Sequence, residues 1–87
     1  LSKKMLDEFT RMAARALGPD IRVNAVAPGL LLPSDYWGQE DIETKAAQTP
    51  LQTLPTLDDI TNAVHYLIDS DALTGQCIFV DSGQRLV

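Results

Sequence analysis

Between residues 1 and 17 the apolar side chains Leu6, Phe9, Met12, Ala13, Ala16 and Leu17 return every three or four positions, with Lys4, Asp7, Glu8, Arg11 and Arg15 between them. That spacing predicts an amphipathic helix. Gly18-Pro19-Asp20 should end it with a left-handed cap followed by a residue that cannot continue a helix. The period then drops to two. Val23, Ala25 and Ala27 share one face of a strand over residues 21–27, and Arg22, Asn24 and Val26 share the other. Pro28 lacks a backbone donor and holds Ala27 extended, and Gly29 permits a sharp turn, so the strand should stop there. A second round begins at Thr56, a natural N-cap with Asp58 and Asp59 in the first turn. Ile60, Ala63, Val64, Leu67 and Ile68 form the buried stripe of a helix running to about Asp69. After a turn over residues 70–75, residues 76–80 read as a short, nearly all-apolar strand of the kind covered on both faces, closed by Asp81-Ser82-Gly83.

The middle of the chain follows no period. Residues 30–38 hold three leucines, a tyrosine and a tryptophan between Pro and Gly. As a loop, such a segment needs cover for its large apolar groups: it can pack on the body of the protein, close over a ligand or meet a subunit. Residues 39–48 are polar, so any helix there is short, and residues 49–55 form a proline-punctuated connector. Residues 30–55 together are expected to be a lid. A helix followed at once by a buried strand is half of a parallel-sheet unit, which gives an α/β class in the order helix, strand, lid, helix, strand. Parallel sheets hold ligands at the carboxyl ends of their strands, so Pro28-Gly29 marks the expected edge of a site. Two helices cannot cover both faces of such a sheet, and the chain opens inside a helical pattern without an initiator methionine. It is therefore expected to be cut from something longer, its missing partners lying upstream.

Composition narrows the function classes. With 45% hydrophobic and 22% charged residues, the 87-residue chain reads as globular rather than disordered. A net charge of −5 with 7 Lys and Arg speaks against nucleic-acid binding, which rests on clustered cations. No apolar run reaches the roughly 20 residues of a bilayer span, and no secretion signal opens the chain, so no membrane is expected as a partner. The single cysteine, Cys77, has no partner for a disulfide and no neighbour at metal-ligand spacing; a reducing cytoplasmic setting and no metal are expected. His65, beside Tyr66 and off the helix stripe, reads as a surface or interface histidine.

The segments Arg22-Val23-Asn24-Ala25-Val26-Ala27-Pro28-Gly29 and Leu73-Thr74-Gly75-Gln76-Cys77-Ile78-Phe79-Val80-Asp81-Ser82-Gly83 resemble the carboxyl-terminal third of short-chain dehydrogenases/reductases. The similarity runs over essentially all 87 residues, with the helices and intervening lengths in the same order. It implies that these are the last two strands and helices of a doubly wound Rossmann sheet, a single domain whose amino-terminal portion, with the glycine-rich dinucleotide fingerprint, the catalytic serine and the catalytic tyrosine, precedes Leu1. Leu1-Ser2-Lys3 then ends a Tyr-x-x-x-Lys motif. By this resemblance Lys3 is the active-site lysine, hydrogen-bonded to the nicotinamide ribose and lowering the pKa of the tyrosine that donates a proton to the reduced carbonyl or imine. Without the family, Lys3 is one of several surface lysines.

The resemblance further implies that Pro28 and Gly29 pass beside the nicotinamide and that the backbone of Leu30 and Leu31 meets its carboxamide. Where many members carry a threonine, this chain has Pro33, with Ser34 next to it as a displaced hydrogen-bonding side chain. The cofactor the resemblance implies is NADPH (NADP), or NAD. The Pro-Gly-Leu-Leu-Leu stretch, the acidic Glu40-Asp41 and the ending Asp81 to Leu86 are similar to pteridine and dihydromonapterin reductases. In that branch the small-molecule substrate is a flat pterin, which Leu30, Leu32, Tyr36 or Trp37 would wall in; the other reading of these side chains is packing of lid on core. Asn24 is expected to make a structural hydrogen bond, and Asp81 and Gly83 to settle the carboxyl terminus. The expected protein is a homo-oligomer, commonly a tetramer, joined around residues 63–67 and 76–80. The fragment alone should be inactive. The alternative from another class is a non-catalytic interaction or structural module that keeps the fold.

Overall fold

The computed structural model describes residues 2–29 and 38–87. Its elements are α1 (Lys3–Leu17), β1 (Ala25–Pro28), α2 (Gln39–Ala47), α3 (Leu57–Asp69) and β2 (Cys77–Val80), followed by a single 3₁₀ turn over Gln84–Leu86. The two strands pair in parallel, Ala25 opposite Cys77 and Pro28 opposite Val80, and both long helices pack on them. The expected α/β class and parallel sheet are what the chain adopts.

Ser2 caps α1 by accepting a hydrogen bond at its Oγ from the Met5 amide (3.1 Å). The helix packs through small and mixed residues: Thr10 and Ala14 are buried and Leu6 and Ala13 half-buried, while Phe9 and Met12 are each 67% exposed. The periodicity located an apolar stripe, but the sheet takes its small-residue edge. Thr10 turns its hydroxyl inward onto the Leu6 carbonyl (2.7 Å), which satisfies it within the helix and lets the backbone approach the strands. Gly18 is extended (φ −69°, ψ 151°) rather than left-handed. The proline that follows it disfavours helical geometry at the preceding residue, which explains the difference.

The first strand is shorter than its alternating pattern and one residue further on. Residues 21–24 lie outside the ladder because side chains compete for their partners. The Val23 amide donates to Thr74 Oγ1 (3.1 Å), Asn24 Nδ2 donates to the Leu73 carbonyl (2.9 Å), and the Gln76 amide donates to Asn24 Oδ1 (3.0 Å). Asn24 thus has the structural role expected of it. Pro28 belongs to the ladder despite lacking an N–H. The Ala25 and Gly29 amides donate to Gln76 and Val80, so in a parallel ladder the even residues face away from β2 and Pro28 forfeits nothing there.

The capping box at α3 is complete: the Asp59 amide donates to Thr56 Oγ1 (3.2 Å) and the Thr56 amide to Asp59 Oδ2 (2.8 Å). Of the expected stripe, Leu67 is buried and Ile60 and Ala63 half-buried, but Val64 and Ile68 are exposed. All four residues of β2 are half-buried, not fully covered as expected of an all-apolar strand, since among the described residues α1 and α3 are the helices packed against it. Within the expected lid, α2 buries none of its residues, whereas Thr49, Leu54 and Pro55 after it are buried.

Candidate functional site

The carboxyl ends of both strands and the first turn of α1 converge on one carboxylate. Asp81, next after β2, has a side chain only 1% exposed. Its Oδ1 accepts a hydrogen bond from the Gly83 amide (3.0 Å) and its Oδ2 one from the Arg85 amide (3.2 Å). Two cations close over it: Lys3 Nζ lies 3.7 Å from Oδ2 and Arg85 Nη1 3.5 Å from Oδ1. Both cations also sit on the face of Phe79, Lys3 Nζ at 5.6 Å and the Arg85 guanidinium at 4.5 Å from the ring centroid. Burial of a carboxylate is tolerable here because both oxygens are bonded and two positive charges face it.

Gly29 forms the other wall. A Cβ on it would lie 2.7 Å from Asp81 Cβ and 2.9 Å from Gln84 Oε1. Glycine is required by the neighbouring strand's exit, which the notion of a turn at Pro-Gly did not foresee. Gly83 sits in the left-handed region (φ 85°), and a Cβ there would come within 2.9 Å of Pro50. The Leu51 amide donates to the Ser82 carbonyl (3.2 Å), so the connector after α2 is tied to the turn that carries Asp81.

Of the sequence-predicted residues, the structure brings Lys3, Pro28 and Gly29 to one edge. Leu30, Leu31, Leu32, Ser34, Tyr36 and Trp37 lie outside the described residues. Arg85, Phe79 and the Lys3–Asp81 pairing went unpredicted. Arg85 follows Asp81 by four positions, a spacing that in regular helices signals a pair, but here the two are joined by a turn. Lys3 retains donor capacity. Among the described residues its ammonium makes an ion pair and no hydrogen bond, and its side chain is 42% exposed.

Beside Lys3 an open cleft of about 640 Å³ runs along α1 and β2, lined by Lys4, Asp7, Arg11, Gln76, Cys77 and Arg85 among others. Asp7 and Arg11 pair across one helical turn at 3.2 Å. Burial is the main cause that raises the Cys77 thiol above its ordinary pKa; the Asp7 carboxylate adds to this and Lys3 partly offsets it. That thiol is therefore a poor nucleophile at neutral pH. Among the described residues no group of three His, Cys, Asp or Glu side chains is placed to hold a metal ion, and no helix is long and apolar enough to cross a membrane.

Over residues 1–85 the chain matches the family described as enoyl-(acyl carrier protein) reductase. It is 37% identical over 87 residues to the short-chain dehydrogenase/reductase homolog YusR of Bacillus subtilis, covering 99% of this chain and 67% of that one. To the dihydromonapterin reductase of Citrobacter koseri it is 35% identical over 85 residues, 98% of this chain and 35% of the other. Among solved structures, the FolM alternative dihydrofolate reductase 1 of Brucella suis, crystallised with NADP, is 44% identical with a TM-score of 0.85, covering 99% of this chain and 35% of that one. The chain thus spans about two thirds of the Bacillus relative and about a third of the reductases.

Proposed function

This chain belongs to the short-chain dehydrogenase/reductase family, and on that premise we propose that it is the carboxyl-terminal part of an NADPH-dependent reductase of dihydropterins. The observation that carries the reading is Lys3: a half-exposed ammonium with free donors, held at the carboxyl edge of a parallel sheet beside Pro28-Gly29. That donor set suits the vicinal hydroxyls of a ribose. When bound, the nicotinamide would supply hydride; Lys3 would hold its ribose and, by its charge, favour ionisation of a neighbouring tyrosine. Pro28 and Gly29 would line the ring, with Leu30, Leu31 and Ser34 contributing to its carboxamide and ribose contacts. Leu30, Leu32, Tyr36 and Trp37 would enclose the pterin, and residues 30–55 would act as a lid over it.

The choice of NADPH and of a pterin is supported by the NADP complex of the Brucella reductase and by the dihydromonapterin reductases among the relatives. The assembled enzyme is proposed to be cytoplasmic and homo-oligomeric, with α3, whose Tyr66 and Ile68 are both 59% exposed, in the contact. By itself the chain is expected to be inactive.

The test is a chimera. In the Brucella suis reductase the segment matched by this chain is exchanged for residues 1–87, and NADPH oxidation is followed with dihydropterin substrates. Turnover is expected, and Lys3→Ala should lower kcat/KM about 100-fold or more. A folded chimera that binds NADPH yet turns nothing over, or one indifferent to Lys3→Ala, overturns the reading.

A further inference from the structure

We infer that Arg85 is a positioning residue for Lys3: by sharing the Asp81 carboxylate and the Phe79 ring with it, the guanidinium keeps the Lys3 ammonium anchored at the sheet edge yet free to donate. The identity of what Lys3 donates to, the ribose of a nicotinamide cofactor, rests on the proposed function; the anchoring rests on the geometry. A lysine has a long flexible stem and rotatable donors, so it holds a ligand well only where something restricts it. In the first turn of α1 the local field works against a cation. That turn carries Lys3 and Lys4 and no acidic residue, at the end of the helix where the backbone dipoles already present positive charge. Asp81 supplies the compensating charge.

Asp81 cannot follow Lys3 outward. Its two oxygens accept the Gly83 and Arg85 amides, and its side chain is 1% exposed, so any shortening of the pair has to come from Lys3. A lone ammonium beside a fixed, buried carboxylate is drawn to about 2.7–2.9 Å and spends a donor there. Lys3 Nζ instead stands 3.7 Å from Oδ2, too far for a hydrogen bond. The second cation accounts for the distance. Arg85 Nη1 lies 3.5 Å from Oδ1, and the guanidinium lies 4.5 Å from the centroid of the Phe79 ring against 5.6 Å for Lys3 Nζ. Arg85 thus holds the nearer place on both partners, and the attraction of one negative charge is divided between two cations that repel each other. Its place does not depend on Lys3, because the Arg85 amide is itself a donor to Asp81. With the Lys3 and Arg85 side chains 42% and 44% exposed, solvent screening limits the effect to about fivefold in binding. The competing account, in which Arg85 merely braces the turn after β2, requires no response at Lys3.

The experiment uses the Brucella suis chimera carrying residues 1–87, with isotope-labelled lysine. Arg85→Met removes the charge and keeps the backbone bond to Asp81. Hydrogen exchange of the Lys3 ammonium is read by nuclear magnetic resonance without cofactor, and the dissociation constant of NADPH by fluorescence. With Arg85→Met, Lys3 should close on Asp81: its ammonium exchange is expected to slow at least about threefold and NADPH binding to weaken about threefold to fivefold. Arg85→Lys, which keeps the charge, should stay within about twofold of the parent on both. In a Lys3→Met background Arg85→Met should leave NADPH binding unchanged, because Arg85 acts through Lys3. Ammonium exchange indifferent to Arg85→Met, or an equal loss of NADPH binding with and without Lys3, would each overturn the inference. If Arg85→Met does not fold, Asp81→Asn decides: losing the shared charge should speed Lys3 exchange, and no change would overturn the inference. A chimera that shows the exchange response but binds no NADPH leaves the inference standing and defeats the cofactor reading; one that reduces dihydropterins without the exchange response does the reverse.

Discussion

Removing the Asp81 carboxylate is the most informative single perturbation, because its contacts separate into two classes of known size. The hydrogen bonds from the Gly83 and Arg85 amides, at 3.0 and 3.2 Å, are made to a buried anion. Each bond of that kind is worth roughly 1.5–3 kcal/mol. The ion pairs are longer, and the Lys3 and Arg85 side chains are 42% and 44% exposed, so solvent screening leaves them at most about 1 kcal/mol together. Asp81→Ala is therefore expected to cost about 3–7 kcal/mol and Asp81→Asn, which keeps one carbonyl oxygen for one of the two amides, about 2 kcal/mol. Urea unfolding of the Brucella suis chimera that carries residues 1–87, followed by far-ultraviolet circular dichroism, measures both. An alanine variant as stable as the parent would show that the carboxylate does not hold the turn. Equal losses for Asn and Ala would show that charge, not hydrogen bonding, dominates, and would refute the reasoning.

Arg22 reaches the last turn of α3, where Nη1 donates to the carbonyls of Leu67, Ser70 and Leu73 (2.9–3.1 Å) and Nη2 to that of Ile68 (3.0 Å). Arg22→Met should destabilise the protein by about 2–3 kcal/mol and speed amide exchange around residues 70–73, with Arg22→Lys recovering part of the loss; unchanged exchange would dismiss the clamp. The raised pKa of Cys77 predicts alkylation by iodoacetamide that is slow at neutral pH and climbs only on the alkaline side of an ordinary thiol's range. Asp7→Asn should shift that profile down and Lys3→Met shift it up; the opposite order would contradict the assigned causes. Because the folded pKa lies above the unfolded one, this thiol's contribution to stability is complete below the unfolded value and disappears as pH rises through the folded value.

The periodic segments declared themselves. The Thr56 cap, the end of α3 near Asp69 and the apolar run of β2 are local properties of neighbouring residues, and hydrophobic period and capping chemistry are short-range signals. The proposal that Lys3, Pro28 and Gly29 belong to one site came from a resemblance to a family and not from spacing. What adjacency in sequence could not supply is what lies across the sheet. Gly29 is fixed as glycine by Asp81, 52 positions on, and Asn24 spends its side chain on Leu73 and Gln76, which shortens β1. Arg22, on the strand face opposite Val23, Ala25 and Ala27 by pattern, becomes the cation that the last turn of α3 lacks. The face of α1 that packs was decided the same way, by how closely Thr10 and Ala14 let it approach the strands, not by where its largest apolar groups stand. Elements follow from neighbours along the chain; the carboxylate hub and its cations exist only once parallel pairing has brought two strand ends and a helix start together.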